Sequence, residues 1–335
     1  MARIGIVGTG WGARVQEPMF REAGLDVVAV AGRDQWRELV SADNVDLVSV
    51  VAPPYQHREV ALAALEAGKH VLCEKPTTLS PLEAEELVSA AQQRPNQLAL
   101  IDHELRFLPA WREARAHIGE IGRIRYAEVR YSSPARNDLA RAWNWWSDVP
   151  RGGGIWGAVG SHFVDALRYF GMEIEAAQAL LHTIIARRPF EKGMREVTAD
   201  DWASVNLRLH DGAVATMQFC AVSSGPDEAT TLTIHGENGA MRFTGEEVLL
   251  SKNRSPFQRM AGSAIEQRPG NSPGGAFGTG TLHLGRALRA ALDDGDRNAL
   301  APAATFEDGL MQQRVLDAAR RSAANGGTLV ECGDG

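Results

Sequence analysis

The sequence predicts an α/β protein: an N-terminal doubly wound domain followed by a C-terminal α+β domain with a large open, mostly antiparallel sheet. Short apolar strands alternate with helical patterns up to residue 101, which is typical of a parallel sheet with right-handed crossovers. From Ala176 onward, alternating and β-branched segments dominate, and His210-Asp211-Gly212 is a hairpin signal between two of them. The 335 residues suffice for two cores, so we place the domains at 1–121 and 122–335, with the last helices able to pack back on the first.

A glycine turn follows the first strand. Ile4, Ile6 and Val7 are apolar, and the residues after them fit the pattern G-x-G-x-x-G/A. The first glycine allows a sharp turn, the second lets a pyrophosphate approach the backbone, and the small Ala13 lets the following helix pack on the strand. The helix N-terminus adds free N–H groups and a positive dipole end. We therefore predict a Rossmann dinucleotide site formed by Gly8, Thr9, Gly10, Trp11, Gly12 and Ala13.

The other elements of the first half follow in order. Apolar periodicity predicts helices, with Gly68 as a C-cap and Ser80 as an N-cap. Pro18 is unfavourable for the first predicted helix, since proline inside a helix kinks it unless it lies in the first turn. The loops after the strands should form the ligand site, because the carboxyl ends of parallel strands share one sheet edge. The predicted helices are Val15–Ala23, Arg58–Ala67 and Leu82–Gln93, and the strands are Leu25–Ala31, Asp46–Ala52, His70–Cys73 and Leu98–Ile101.

The end of the second strand bears on the choice of cofactor. An NAD site usually has an acid there for the ribose 2′-hydroxyl, whereas an NADP site usually has an arginine for the 2′-phosphate. Here Gly32 ends the strand and Arg33 follows, which favours NADP over NAD. Two alternatives stay open: Arg33 could be a solvated charge stacked on the adenine, and Asp34 could contact the ribose.

Composition excludes several classes of function. The net charge of −7, without a basic cluster, argues against a nucleic-acid partner, and no apolar run is long enough to span a membrane. Cys73, Cys220 and Cys332 lack metal-ligand spacing, so we predict no metal and reduced thiols. A strand at the third residue leaves no room for a signal peptide, so we expect a cytoplasmic protein.

Four stretches resemble the Gfo/Idh/MocA family of NAD(P)-dependent oxidoreductases, which act on sugars, cyclitols and related polyols. The stretches are Gly8–Ala13, Pro53–His57, Gly68–Pro76 and Gly152–Asp165, and Glu74-Lys75-Pro76 is the most specific signature among them. The resemblance implies hydride transfer between nicotinamide and a secondary alcohol or ketone. It also implies a homodimer or homotetramer formed through the C-terminal sheet. Cofactor contacts beyond the glycine turn are expected from Gly32, Arg33, Ala52, Pro53, Pro54, His57, Glu74 and Lys75.

The resemblance assigns the catalytic roles to Lys75 and His162. A lysine at a strand end beside the nicotinamide can hydrogen-bond the reacting oxygen and stabilise developing negative charge. In the family its bond to the following proline is often cis, which here would be Lys75–Pro76. His162 occupies the position of the family's general acid/base, which moves the hydroxyl proton.

Ala158 departs from the family pattern, which usually has an aspartate four residues before the histidine. A carboxylate there would fix the histidine tautomer and stabilise the cation. Three interpretations follow. Another acid, Glu104 or Asp165, replaces it; His162 works with Lys75 alone; or the chain binds cofactor without efficient turnover, as a sensor or regulator.

The second half supplies the remaining predicted contacts. We expect substrate contacts from Glu104, Arg106, Trp156 and Asp165, although Asp165 fits a structural role equally well. The tryptophans of Arg141–Arg151 either stack on a sugar or pack the loop, and polar Ser251–Gly280 reads as a mobile loop that in the family can lie over the substrate. The predicted elements are helices Trp156–Phe170, Leu282–Leu292 and Thr305–Ala324, and strands Gly122–Tyr131, Ala177–Ala186, Asp200–His210, Ala213–Val222, Thr230–His235, Ala240–Phe243 and Val248–Ser251.

Overall fold

The computed structural model describes residues 1–225, 229–260 and 274–333. The chain divides into two compact units, neither of which is one continuous run of residues. The first unit combines Met1–Leu108 with Glu266–Gln313, and the second combines Pro109–Ile265 with Arg314–Gly335. The predicted domain boundary at residue 121 lies inside the second unit.

The strands of the described residues alternate with helices in the first unit and follow one another in the second. In chain order they are β1 (Arg3–Val7), β2 (Asp26–Ala31), β3 (Leu47–Val50), β4 (His70–Cys73), β5 (Ala99–Ile101), β6 (Ile124–Ser132), β7 (Ile174–His182), β8 (Arg187–Phe190), β9 (Gly193–Glu196), β10 (Trp202–Leu209), β11 (Val214–Cys220), β12 (Ala229–Gly236), β13 (Gly239–Thr244), β14 (Glu247–Lys252), β15 (Gln258–Arg259), β16 (Ala304–Thr305) and β17 (Val330–Glu331).

The α-helices of the same residues are mostly short. None of them is both long enough and apolar enough to cross a membrane. They are α1 (Glu17–Glu22), α2 (Trp36–Ser41), α3 (Pro54–Glu66), α4 (Pro81–Gln92), α5 (Pro109–His117), α6 (Ser161–Tyr169), α7 (Ala276–Asp293) and α8 (Phe306–Ala324).

The first unit is a doubly wound Rossmann-like fold, as predicted. Its sheet has the order β16-β5-β4-β3-β1-β2, in which β1 to β5 are parallel and β16 is antiparallel. All four residues of β3 are buried, as expected for a strand covered on both faces. Val60 and Leu87 pack in one apolar cluster and Phe20 and Leu284 in another, so helices cover both faces.

Pro18 is accommodated because the first helix begins in an unusual way. Gly12–Gln16 forms a π-helical segment, and α1 follows it directly. Pro18 therefore stands in the first turn of α1, where its fixed φ is favourable and its missing N–H is tolerated.

The second unit contains the predicted large sheet, with the order β15-β14-β13-β12-β6-β11-β10-β7-β17. Its pairings are antiparallel except that between β11 and β6. Phe219 on β11 packs against Phe163 on α6, with ring centroids 5.8 Å apart, so this helix covers one face of the sheet. A separate hairpin, β8–β9, falls where no strand was predicted.

The stretch Ser251–Gly280 is only partly the loop that its composition suggests. β14 extends to Lys252, β15 pairs with it, and α7 already begins at Ala276. Residues 261–273, on which most of the loop prediction falls, lie outside the described residues. The start of the helix was not predicted because Gly278 and Gly280 are typical of a loop, whereas Gly280 lacks the Cβ that would collide with Glu104.

Candidate active site

The carboxyl ends of the parallel strands form one edge of the first sheet. β1 and β3 are neighbours there, and the chain proceeds from them in opposite directions, to β2 on one side and to β4 and β5 on the other. Such a switch point leaves a crevice in which ligands bind. The predicted cofactor segments of the first unit therefore share one edge.

The glycine turn after β1 has the geometry of a phosphate-binding loop. Gly8 has a φ of 146°, and a Cβ there would collide with the carbonyl oxygen of Val51. A Cβ at Gly10 would meet nothing within 4 Å, so this backbone faces open space. The close contact between helix and strand falls on Gly12 and not on Ala13 as expected, because a Cβ at Gly12 would lie 2.7 Å from Ile6 Cγ2.

The two side chains flanking the turn differ in environment. Thr9 is exposed, whereas Trp11 is half-buried and packs against Val15, Met19 and Leu282. Trp11 therefore anchors the turn to the body of the first unit.

The end of β2 carries no acid. Gly32 is half-buried, and Arg33 and Asp34 are exposed. The Arg33 guanidinium donates a hydrogen bond to the Tyr55 hydroxyl and lies over its ring, 5.9 Å from the centroid. A tethered guanidinium beside a neutral strand end is a suitable environment for an additional phosphate.

His57 lies between two loops of this edge, and its contact with the cofactor stays a prediction. It is only 1% exposed. Its Nδ1 lies 3.0 Å from the Pro76 carbonyl oxygen and its Nε2 lies 2.6 Å from that of Ala52. Burial lowers the pKa of His57 to about 4, so the ring is neutral at physiological pH. The ring therefore lies between the segment of Ala52, Pro53 and Pro54 and the segment after Lys75, and in its neutral form it donates one N–H to one of the two carbonyl oxygens.

Lys75 follows the end of β4 and lies near three carboxyl groups, of which those of Asp102 and Glu104 are buried and that of Glu74 is half-buried. The peptide bond between Lys75 and Pro76 is cis, as the resemblance implied. Burial raises the pKa of Glu74, Asp102 and Glu104, and the charge of Lys75 opposes that rise in each case. Lys75 thus lies within electrostatic reach of three acids of the same sheet edge.

Asp102 and Glu74 belong to a buried polar network that the sequence analysis missed. Gln16 Nε2 donates to Asp102 Oδ2 at 2.7 Å and to Glu74 Oε1 at 3.3 Å, and Ser49 Oγ donates to Gln16 Oε1 at 2.6 Å. Burial raises the pKa of Asp102 most, and the negative charge of the neighbouring Glu74 raises it further. This arrangement favours one proton shared by the two carboxyl groups. The only signal in the sequence is Ser49, a polar residue within an apolar strand.

Glu104 is placed by helix packing. It is buried, and a Cβ at Gly280 of α7 would lie 2.5 Å from its carbonyl oxygen and 3.1 Å from its Cγ. The adjacent His103 is also buried, and the Gln312 amide nitrogen lies 2.9 Å from its Nε2. Despite these neighbouring acids, His, Cys, Asp and Glu side chains form no metal-binding group of three or more in the described part of the chain.

Arg106 and Trp156 are buried and have hydrogen-bond partners far away in sequence, and their substrate contacts stay predictions. The Arg106 guanidinium is buried, lies 3.3 Å from Asp308 Oδ1 and donates to the Pro302 carbonyl oxygen at 3.4 Å. Trp156 is fully buried, and its Nε1 donates to the Leu316 carbonyl oxygen at 3.2 Å. Both residues were assigned from their type and position, whereas long-range partners decide what they face.

His162 lies in the first turn of α6, directly after the π-helical segment Trp156–Gly160. It is buried, as is Asp165 on the same helix. Ala158 is also buried and brings no carboxylate to this part of the second unit. Helix α6 therefore carries two buried titratable side chains, His162 and Asp165, three residues apart.

The tryptophans before this helix have different surroundings. Trp143 is buried and donates from Nε1 to the Glu196 carbonyl oxygen at 2.9 Å. Trp145 and Trp146 are half-buried, with ring centroids 5.7 Å apart. Trp143 therefore packs the loop, while Trp145 and Trp146 keep partly accessible rings.

The buried His57 generates a prediction about pH and stability. An unfolded histidine titrates near 6.5 and folded His57 near 4, so between these pH values the unfolded chain binds a proton that the folded chain excludes. The free energy of unfolding should therefore fall as the pH falls through this window, by up to roughly 1.4 kcal/mol per pH unit from this residue. Denaturant unfolding at several pH values should show that the free energy of unfolding of His57→Gln depends less on pH than that of the wild type.

His210→Gln is the matched control, because the side chain of His210 is 75% exposed. It should keep the wild-type pH dependence. An unchanged pH dependence in His57→Gln would contradict the neutral, buried state of His57.

Comparison with known proteins identifies relatives over nearly the whole chain. The model of an oxidoreductase family with an NAD-binding Rossmann fold matches residues 31–101, and the model of the GFO/IDH/MocA C-terminal domain matches residues 111–242. Glucose-fructose oxidoreductase domain-containing protein 2 of Xenopus tropicalis is 30% identical over 360 residues, covering 96% of this chain and 92% of that protein. The domain-containing protein 1 of Mus musculus is 28% identical over 358 residues, covering 96% and 90%.

Solved structures share the fold at lower identity. Levoglucosan dehydrogenase in complex with NADH and L-sorbose has a TM-score of 0.85 at 22% identity and covers 99% of both chains. An inositol dehydrogenase homolog from Azotobacter vinelandii, complexed with NADH and myo-inositol, has a TM-score of 0.78 at 21% identity, covering 98% of this chain and 97% of that one. With the two domain models matched in order and the near full-length relative at 30% identity, the chain belongs to the Gfo/Idh/MocA family of oxidoreductases.

Proposed function

We propose that the protein transfers a hydride between a nicotinamide dinucleotide and a secondary alcohol, or its ketone, of a sugar, cyclitol or related polyol. The observation that carries this proposal is the position of Lys75 near the buried Asp102 and Glu104 and the half-buried Glu74, at the same sheet edge as the glycine turn. A cation held there can polarise an oxygen beside the cofactor. The NADH complexes of levoglucosan dehydrogenase with L-sorbose and of the inositol dehydrogenase homolog with myo-inositol support the substrate class.

The glycine turn fits the dinucleotide. The open face of Gly10 leaves room for the pyrophosphate, and Gly12 lets the helix pack tightly behind it. The bound nicotinamide supplies or accepts the hydride, and the chain provides position and electrostatics. We propose direct cofactor contacts from Gly8, Thr9, Gly10, Trp11, Gly12, Ala13, Gly32, Arg33, Ala52, Pro53, Pro54, Glu74 and Lys75.

We assign different roles to Lys75 and His162 in the reaction. The Lys75 ammonium donates a hydrogen bond to the reacting oxygen and stabilises the negative charge that develops on it. His162 takes the hydroxyl proton during oxidation and returns it during reduction. Glu104 and Asp165 are the candidates for the carboxylate that Ala158 does not supply, and both are candidate substrate contacts.

A cofactor-binding regulator with little or no turnover is the second candidate function. The observation that favours it is Ala158, since the family usually has a carboxylate at this position to support the histidine. The two functions differ in whether any substrate is turned over.

Turnover should depend on Lys75. In assays that follow nicotinamide absorbance on a panel of sugars and cyclitols, Lys75→Met should lower kcat about 10²- to 10³-fold, because the reacting oxygen loses its charged donor. The Kd for cofactor, measured by calorimetry, should change by less than about threefold, since one contact of many is lost.

Lys192→Met is the control for this experiment, because Lys192 is an exposed lysine. It should keep wild-type activity. Cofactor binding by the wild type without turnover of any panel member would favour the regulator instead.

We also propose that NADP is favoured over NAD. The support is the neutral Gly32 at the end of β2 and the Arg33 guanidinium held by Tyr55. Calorimetric titration should give NADPH a Kd at least tenfold below that of NADH, or about 1.4 kcal/mol. Arg33→Ala should remove this preference, and Arg37→Ala, at an exposed arginine nearby, should keep it. Tighter binding of NADH by the wild type would reverse the assignment and move the ribose contact to Asp34.

We further propose a homodimer or homotetramer formed through the sheet of the second unit. Leu180 on β7 is 59% exposed and Val214 on β11 is 48% exposed, at register positions of one sheet face. Burial of such side chains between two copies removes apolar surface from water. Light scattering should give a multiple of the 36.2 kDa chain mass, and Leu180→Glu with Val214→Glu should lower it. A monomeric wild type would rule out this assembly.

A further inference from the structure

The segment after β6 forms a loop that is fixed to the end of β11. The backbone N–H of Ser133 donates to the Cys220 carbonyl oxygen at 2.9 Å, and that of Arg136 donates to the Ala221 carbonyl oxygen at 3.0 Å. The loop therefore begins in a defined position on the second unit.

Two arginines fasten this loop without using carboxylates. Arg188 is 2% exposed and donates to the carbonyl oxygens of Asp138 at 2.9 Å and Arg136 at 2.6 Å. Arg141 Nη1 donates to the Ala135 carbonyl oxygen at 2.8 Å. Because their partners are neutral, both positive charges remain uncompensated by these contacts.

Arg136 is the third arginine of the group and is itself buried, with 9% of its surface exposed. Its guanidinium carbon lies 4.5 Å from the centroid of the Trp146 ring. Within residues 1–225, 229–260 and 274–333, the guanidinium has no hydrogen-bond acceptor. Burial lowers the pKa of Arg136 to about 10, and the charges of Arg141 and Arg188 act in the same direction.

The acids nearest to this group are already engaged. Asp201 accepts the N–H of Ile184 at 2.7 Å and that of Ile185 at 2.9 Å, and Asp138 accepts the N–H of Ala140 at 2.8 Å. A buried arginine presents five donors, and leaving them without acceptors is costly. The charge of Asp201 opposes the fall in the pKa of Arg136 and Arg188, but its oxygens accept backbone N–H groups. In the described residues, no carboxylate is hydrogen-bonded to the Arg136 guanidinium, which therefore has donors available for an added anion.

This loop is connected to the helix that carries His162. Trp146 accepts the backbone N–H of Gly154 at 3.2 Å through its carbonyl oxygen, just before that helical segment. Phe219 of β11, the strand to whose end the loop is fixed, packs against Phe163. The arginine group and His162 thus belong to one continuous packed region of the second unit.

We propose that Arg136, stacked on Trp146 and supported by Arg141 and Arg188, binds the anionic group of a sugar acid or sugar phosphate. A planar guanidinium pairs in bidentate fashion with either a carboxylate or a phosphate. The polyol part of the ligand rests on the proposed function, whereas binding of its anionic group can be measured without turnover. The substrate class is thereby narrowed from polyols in general to those that carry a negative charge.

The test compares three ligands that share one ring: glucuronate, glucose 6-phosphate and glucose. Calorimetry on the wild-type protein without cofactor should show glucuronate or glucose 6-phosphate binding at least tenfold more tightly than glucose. Which of the two binds more tightly distinguishes a carboxylate site from a phosphate site. Added sodium chloride should weaken binding of the acids and leave glucose unaffected.

Variants then assign the effect to Arg136. Arg136→Gln should lose the preference for the acidic ligands, and Arg136→Lys should keep part of it. Arg123→Gln, a matched change at an arginine whose side chain is 68% exposed, should bind as the wild type does. Equal binding of all three ligands by the wild type, or an unchanged preference in folded Arg136→Gln, would overturn the proposal.

The result is separable from that of the proposed function. Should Arg136→Gln fail to fold, the wild-type ligand and salt series decides alone. Preferential binding of the acids without turnover supports this site while counting against the enzyme. Turnover of neutral sugars with no preference for the acids supports the enzyme while counting against this site.

Discussion

The burial of carboxyl groups beside a single lysine is the constraint on which the first unit depends. Glu74, Asp102 and Glu104 are each costly to ionise away from water, and burial is the first cause of the rise in each pKa. The surrounding structure reduces this cost with the Gln16 amide and the Ser49 hydroxyl. Gly280 has no side chain where Glu104 must fit. Ser49 in β3 and Gly280 in α7 thus support the acids that lie near Lys75.

Periodicity was sufficient to predict the fold, because each sheet follows a simple rule. Strands covered on both faces are continuously apolar, as in β3, and strands with one solvated face alternate, as in β11. The hairpin β8–β9 escaped prediction because its residues neither alternate nor form an apolar run. The start of α7 was not predicted because glycines are typical of a loop, whereas Gly280 is needed there for close packing against Glu104.

The sequence predicts which chemical groups belong to the candidate site, but it predicts only partly which neighbours their side chains face. The motif around Lys75 identified a cation at a strand end, and the topology brings the predicted cofactor loops to its edge. What His57, Arg106 and Trp156 face depends on partners far away in sequence, such as Asp308 and Leu316. Gln16 gives no signal of its own, since a buried amide is recognised only by the acids it contacts. The side chains that a residue meets are a tertiary property, which spacing alone does not encode.

The discontinuity of both units has a consequence for attempts to dissect the protein. Helix α8 belongs to both, since the division falls between Gln313 and Arg314. A fragment ending before α7 would leave β5 without β16 and expose the apolar surface that Phe20 shares with Leu284 and Leu288. The complementary fragment would carry Phe306 and Leu310 without the core that buries them. No single cut of the chain yields a complete domain, so isolating either one requires rejoining separate segments through a new linker.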